Sequence, residues 1–140
     1  MPFENPSAAA RRELLTKTRT IAVVGLSPRP ERPSHGVAKA LQGFGYRIIP
    51  VRPGLDAVLG EKAYASLSEV PEKIDLVDVF RAAGQVDAVV DECLALGIPA
   101  IWIQEGIVNE AAAERARAAG MVVVMDRCIY KDYLALAPSR

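Results

Sequence analysis

TIAVVGLSPRPERPSHGVAKALQG, residues 20–43, decides the architecture. It reads as a buried strand over Ile21–Val24, a sharp turn at Gly25, a stiff loop and then a helix. Ser34 stands where a helix N-cap belongs, and Val37, Ala38, Leu41 and Phe44 fall on one apolar face behind it. A strand that feeds a helix through such a loop opens an α/β domain of the nucleotide-binding type. The first free N–H groups of the helix, on His35, Gly36 and Val37, are then expected to point at the strand ends, where an anionic phosphate is favoured.

The pattern repeats outward from this unit. Ser7 can cap an N-terminal helix running to about Arg19. Beyond the first unit, Tyr46–Val51 reads as a second strand that tolerates Pro50 near its end. The connection from Leu55 to Val70 is expected to hold a short edge strand near Ala63–Tyr64. Ile74–Phe80 is the next strand, followed by a helix marked by Val86, Val89, Val90, Cys93 and Leu94 and ending at Gly97. Ala100–Ile103, an Ala-rich helix between Asn109 and Gly120, Met121–Met125 and a short helix over Ile129–Leu136 complete the chain. Strict alternation of strand and helix predicts a Rossmann-like α/β fold, a doubly wound parallel sheet with helices on both faces. Right-handed crossovers favour the strand order 3-2-1-4-5-6 with a very short third strand. The crevice between strands 1 and 4 then opens between Gly25 and Phe80, where ligands of open α/β sheets bind.

Bulk properties exclude several classes. A chain of 140 residues supports one domain, expected over residues 1–140. Seventeen basic and seventeen acidic residues give zero formal net charge, so no electrostatic case exists for nucleic acid or an acidic membrane surface. No apolar run approaches the ~20 residues of a membrane span. Ala8–Ala10 is followed by Arg11, Arg12 and Glu13, which is not a signal-peptide core. Cys93 and Cys128 are too few for a disulfide framework and suit a reducing compartment, which makes the cytoplasm the expected location. No His/Cys cluster has metal-ligand spacing, so no metal is expected.

The common phosphate motifs are missing from the first loop. Leu26 and Ser27 follow Gly25 where G-x-G-x-x-G needs its second glycine, and Pro30-Glu31 stands where a P-loop needs Gly-Lys. Arg29 occupies the second glycine of a nucleophile elbow. Pro28, Pro30 and Pro33 interleave instead with Ser27, Arg29, Arg32 and Ser34. Prolines remove amide donors, so phosphates would be met partly by hydroxyls and guanidinium groups, with Gly36 permitting close approach. A side chain on Gly25 is expected to block phosphate while leaving the sheet folded. Arg52, just after strand 2, stands where NAD-binding domains place an acid. A basic residue there suits a phosphorylated ribose, as in NADP or coenzyme A, or is simply a surface arginine.

Four segments together resemble a family: VVGLSPRPERPSHGVAKAL (23–41), PVRPG (50–54), VLGEKAYASLSEVPEKIDLVDVFR (58–81) and IWIQEGIVNEAAAERARAAGMVVVMDRC (101–128). They look like the small stand-alone CoA-binding proteins of bacteria and archaea, whose fold is similar to the N-terminal CoA-binding domain of the succinyl-CoA synthetase α subunit. The resemblance covers roughly residues 10–130. It implies that Gly25, Ser27 and the loop through Ser34 approach a pyrophosphate, and that Val51, Arg52 and Pro53 lie near a 3′-phospho-adenosine. It also implies that Val79, Phe80 and Arg81 line the crevice and that Trp102–Gly106, with Gln104, faces the pantetheine. Arg52 departs from the small polar residue more common in the family.

The resemblance also bounds activity. In the synthetase a histidine of a second domain is phosphorylated; His35, the single histidine here, sits at a helix start and does not correspond to it. The expectation is a non-catalytic binder of CoA or an acyl-CoA, acting as carrier, sensor or partner subunit, with catalysis supplied by another protein. One rival is an NADP-binding oxidoreductase module. The other is an acyl-transfer enzyme whose nucleophile is Cys128, activated by Arg127. Asp126 and Arg127 can instead pair to hold the chain end. Cys93 reads as core, and Trp102 as packing or as a surface for stacking adenine. Asp75 and Asp78 fall on different faces of their strand and form no catalytic pair.

Overall fold

The computed structural model describes residues 3–139, so residues 1, 2 and 140 of the expected single domain lie outside the described residues. Among the described residues five α-helices and seven strands follow one another along the chain. They are α1 (Ala8–Lys17), β1 (Thr20–Val24), α2 (Pro33–Gly43), β2 (Arg47–Val51), β3 (Ala57–Val58), β4 (Glu61–Lys62), β5 (Leu76–Val79), α3 (Val86–Leu96), β6 (Ala100–Ile103), α4 (Glu110–Ala118), β7 (Val122–Met125) and α5 (Ile129–Leu136). The caps read from sequence form: Ser7 Oγ accepts the Ala10 N–H at 3.1 Å and Asn109 Oδ1 accepts the Ala112 N–H at 3.1 Å.

The main sheet is parallel, in the order β2-β1-β5-β6-β7. Its strands are apolar at nearly every position because both faces are covered. Ala22, Val24, Val77, Val79, Ile101 and Ile103 pack under α3 and α4, whereas Ile21, Val23, Leu76, Trp102 and Val124 pack under α1, α2 and α5. Cys93 is buried in the first of these layers, as expected, and burial pushes its thiol up to about 12, with a further contribution from Glu92. The chain leaves β1 outward to β2, then crosses back to β5 on the other side. The β1/β5 boundary is therefore the topological switch point. Among the described residues no helix is long and apolar enough to cross a membrane.

The expected third strand needs correction. It shrinks to a single parallel bridge between Val51 and Tyr64, with the preceding residues diverted into a two-stranded β3–β4 hairpin. Proline supplies the reason. The Pro50 carbonyl faces the outer edge, where it accepts the Tyr64 N–H at 3.0 Å, and at that same position the ring leaves no N–H to return. At the opposite edge, Asn5 imitates a strand: its Nδ2 donates to the Met125 carbonyl at 2.9 Å and its Oδ1 accepts the Met125 N–H at 2.8 Å.

Alternation puts Asp78, in the central strand β5, on the layer under α1, α2 and α5. It is flanked by Val23 on β1 and Trp102 on β6. It is fully buried, and neither carboxylate oxygen has a hydrogen-bond partner among the described residues. Desolvation holds the carboxyl well above its ordinary range.

Candidate functional site

The carboxyl ends of the five parallel strands surround a cavity of about 860 Å³. Along this rim stand Arg52 after β2, the Gly25–Ser34 loop after β1, Phe80–Ala82 after β5, Gln104–Ile107 after β6, and Cys128–Lys131 after β7. Nine of the twelve site residues expected from sequence line this one cavity: Gly25, Ser27, Arg29, Arg32, Ser34, Arg52, Phe80, Arg81 and Gln104.

Gly25 closes the junction between strands. It adopts φ +88°, its N–H donates to the Val51 carbonyl at 2.9 Å, and a Cβ on it would run into the Phe80 carbonyl. The Phe80 N–H in turn donates to the Val24 carbonyl at 2.8 Å. The expectation that a side chain at 25 leaves the sheet folded carries a structural cost: a Cβ there forces the backbone just past the ends of β1 and β5 to shift.

The loop beyond is fastened by its own serines. The Ser27 N–H donates to Ser34 Oγ at 2.9 Å, and Ser27 Oγ accepts the Arg29 N–H at 3.1 Å. Both hydroxyls serve as acceptors in these bonds and keep their O–H groups to donate elsewhere. Ser34 is consequently not the helix cap. Arg32 is, with Pro33 in the first helical position, where its missing N–H costs nothing. This earlier start also removes the expected free amides, because the His35 and Gly36 N–H groups already donate to the Arg32 carbonyl. Neither residue lines the cavity, and a Cβ on Gly36 would meet nothing within 4 Å, so no close approach requires that glycine. Pro53 is the third departure. It belongs to a separate cleft of about 320 Å³ near α3, which shares Arg81 with the main cavity.

The charges in the wall are unequal. Arg29 is exposed and pairs with Glu31 at 2.8 Å, and Lys131 pairs with Glu105 at 3.0 Å. Glu105 holds the Lys131 ammonium above its ordinary range, with a small contribution from the Cys128 sulfur. Arg32, Arg52 and Arg81 have no ion pair among the described residues. Three unpaired guanidinium groups thus face one cavity whose sole described carboxylate is already neutralised.

At the far end, Gln104 is 5% exposed, and its Oε1 accepts the Ile129 N–H at 3.0 Å. Because that bond requires an oxygen, the amide orientation is fixed, and Nε2 carries two donors with no acceptor among the described residues. Tyr130 and Lys131 were not readable as wall residues; only the return of α5 over the rim brings them there. Trp102 is fully buried and donates from Nε1 to the Arg127 carbonyl at 2.8 Å, so it packs the core and does not stack on a ligand. The expected Asp126–Arg127 pair is replaced. Arg127 grips Asp132 through two bonds of 2.8 and 2.7 Å, Arg11 reaches the same carboxylate at 3.0 Å, and Asp126 accepts the Gly106 N–H.

In sequence and in fold the chain is similar to known proteins. Residues 19–133 match the family described as CoA binding domain. The chain is 48% identical over 127 residues to the uncharacterized protein YneT of Bacillus subtilis, covering 91% of this chain and 94% of that one. It is 28% identical over 105 residues to the ADP-forming acetate–CoA ligase I of Archaeoglobus fulgidus, covering 75% of this chain but only 15% of the ligase. A solved structure of a hypothetical protein from Pyrococcus horikoshii OT3 superposes with TM-score 0.92 at 34% identity over 98% of this chain and 96% of that one. The apo acetyl-coenzyme A synthetase 1 of Ca. Korarchaeum cryptofilum matches with TM-score 0.71 at 26% identity, over 81% of this chain and 27% of its own. The match begins just before β1 and ends inside α5, enclosing every segment of the cavity rim, and by it this chain belongs to the CoA-binding domain family.

Proposed function

We propose that the chain, as a single domain over residues 1–140, binds coenzyme A or an acyl-CoA in the cytoplasm as a carrier, sensor or partner subunit. The observation that carries this reading is the set of unpaired guanidinium groups of Arg32, Arg52 and Arg81 around one cavity at the switch point. Coenzyme A presents phosphates at two separated places, and charge-assisted bonds to them are the strong kind. The hydroxyls of Ser27 and Ser34 supply neutral donors, and Gln104 Nε2 suits a carbonyl of the pantetheine arm.

The wall offers little to a catalyst. His35 lies off the cavity, and Glu105 is committed to Lys131. A general base near neutral pH is normally a histidine or a tuned carboxylate. Catalysis would then come from a protein partner, in keeping with the ligases of which this domain covers a small share. A second reading, acyl transfer to Cys128, draws on the position of that thiol in the wall.

Native mass spectrometry of the purified protein tests the ligand, since retained CoA, acyl-CoA and NADP differ in mass. Calorimetry with CoA and NADPH follows; tighter binding of NADPH would replace the CoA reading with the oxidoreductase module. Release of free thiol from acetyl-CoA above the buffer rate, lost in Cys128→Ser, would promote the acyl-transfer reading.

A further inference from the structure

The two ends of the cavity rim differ chemically. Arg52 stands beyond β2 and Cys128 beyond β7, so the five-stranded sheet separates them by four strand spacings, about 19 Å in all. Arg32, Arg52 and the Ser27 and Ser34 hydroxyls stand on the β2 and β1 side, with Arg81 after β5. Beyond β6 and β7 stand the Gln104 amide and the Cys128 thiol, with Tyr130 and a Lys131 whose charge Glu105 neutralises. Coenzyme A has the same polarity, with phosphates at one end and a sulfur at the tip of a flexible arm.

Cys128 is 9% exposed and forms part of the cavity wall. Gln104 supplies the second, independent feature. Its Oε1 is held by the N–H of Ile129, the residue immediately after Cys128, and its Nε2 carries unmet donors in the same wall. Among the described residues only the Asp78 oxygens are fully buried without a partner, so the Gln104 Nε2 donors are accessible, and a ligand oxygen in the cavity can accept them. Cys93 provides the internal contrast, fully buried on the inward side of α3, on the opposite face of the sheet.

Resting on the CoA-binding reading above, we propose that Cys128 is a site of mixed-disulfide formation with coenzyme A, with Gln104 Nε2 holding the pantetheine arm beside it. The reaction is thiol–disulfide exchange with the disulfide of CoA. Cys128, as thiolate, attacks one sulfur of the CoA disulfide; the Sγ–S bond forms as the old S–S bond breaks. The second CoA departs as a thiolate and takes up the proton Cys128 gave up. Cys128 is oxidised, the departing CoA is reduced, and no other oxidant is needed. The covalently held ligand would occupy the same cavity as free CoA and so close it to exchange until a thiol releases it.

The test incubates the full chain with CoA disulfide and reads intact mass and peptide mass. One adduct per chain is expected, on Cys128 and not on Cys93, reversed by dithiothreitol. Binding places the reacting sulfur beside the thiol, so glutathione disulfide at the same concentration should react at least about tenfold more slowly. Desulfo-CoA, which has no sulfur to react, should protect. Calorimetry with desulfo-CoA separates the two levels of the argument. If desulfo-CoA binds but no adduct forms, or if both disulfides react at equal rates, the mixed-disulfide site is wrong and CoA binding stands. If desulfo-CoA and CoA both fail to bind, the binding reading falls and takes this inference with it.

Discussion

Gln104 anchors the start of the last helix by accepting the Ile129 N–H at 3.0 Å, and the same amide turns its Nε2 donors toward the cavity. Two substitutions separate these jobs. Gln104→Glu keeps an acceptor for Ile129 but trades the donors for a buried carboxyl, so CoA affinity should fall about tenfold or more, the worth of one good hydrogen bond, and any stability lost at neutral pH should return on acidification. Gln104→Leu loses both and leaves a buried N–H unmet, at a cost of about 1–3 kcal/mol in stability. Thermal melts paired with calorimetry distinguish them; equal affinities for wild type and Gln104→Glu would remove the amide from the site.

Gly25 and Gly36 should respond in opposite directions. Gly25→Ala forces a Cβ into the Phe80 carbonyl at a positive φ, and the backbone conformation alone costs about 1–3 kcal/mol. Gly36→Ala, in open space on α2, should stabilise by roughly 0.5–1 kcal/mol. Denaturant titrations measure both. A Gly25→Ala protein as stable as wild type would contradict the β1–β5 packing described above.

If the proposed CoA site is right, affinity for CoA should fall with added salt, because Arg32, Arg52 and Arg81 line the cavity as unpaired cations. Dephospho-CoA should bind about tenfold more weakly or worse, since a charge-assisted contact contributes roughly 1.5–3 kcal/mol. Arg52→Ser should bring CoA down to the dephospho-CoA level and leave dephospho-CoA itself unaffected. Should Arg52→Ser weaken both ligands alike, Arg52 does not meet the 3′-phosphate.

Asp78 gives a pH signature. Its carboxyl is held well above the ordinary range by burial, so the folded state keeps a proton that the unfolded state gives up. The unfolded chain then binds fewer protons, and stability declines as pH rises from the ordinary carboxylate range toward the raised folded value. Asp78→Val removes an unpartnered buried carboxyl and should raise stability at neutral pH by about 1–3 kcal/mol. Its advantage over wild type should shrink on acidification toward pH ~3, below the ordinary aspartate range, where the aspartate is mostly protonated in both states. A constant difference across that range would mean that Asp78 titrates normally.

The strands were legible because helices cover both faces of the sheet, which turns Ile21–Val24 and Ala100–Ile103 into unbroken apolar runs and leaves β5 broken only at Asp78. The Gly25 turn and the arginines after β1 and β2 could be placed for the same reason: topology puts those loops on one rim. The start of α2 was misread by competing rules, since Pro33 in the first helical position and Ser34 as a cap make adjacent claims. The proline prevailed, leaving the serine free to clasp Ser27. With the start displaced, the His35 and Gly36 amides turned inward. Tyr130 and Lys131 had no local signal at all. They reach the cavity only because α5 folds back against α1 and α2, with Asp132 gripped by Arg11 from 121 residues away.

Both margins of the sheet are interrupted. A strand added alongside β2 would displace Tyr64 and find no donor at Pro50, and one added alongside β7 would have to evict Asn5 from Met125. Exposed margins are the usual templates for unwanted polymerisation. Here an amide side chain and a proline ring act as stoppers, so self-association by sheet extension is opposed at either end. A partner is thereby steered away from the margins of the main sheet and toward its helices and the cavity rim, which combines loop ends with the first turns of α2 and α5.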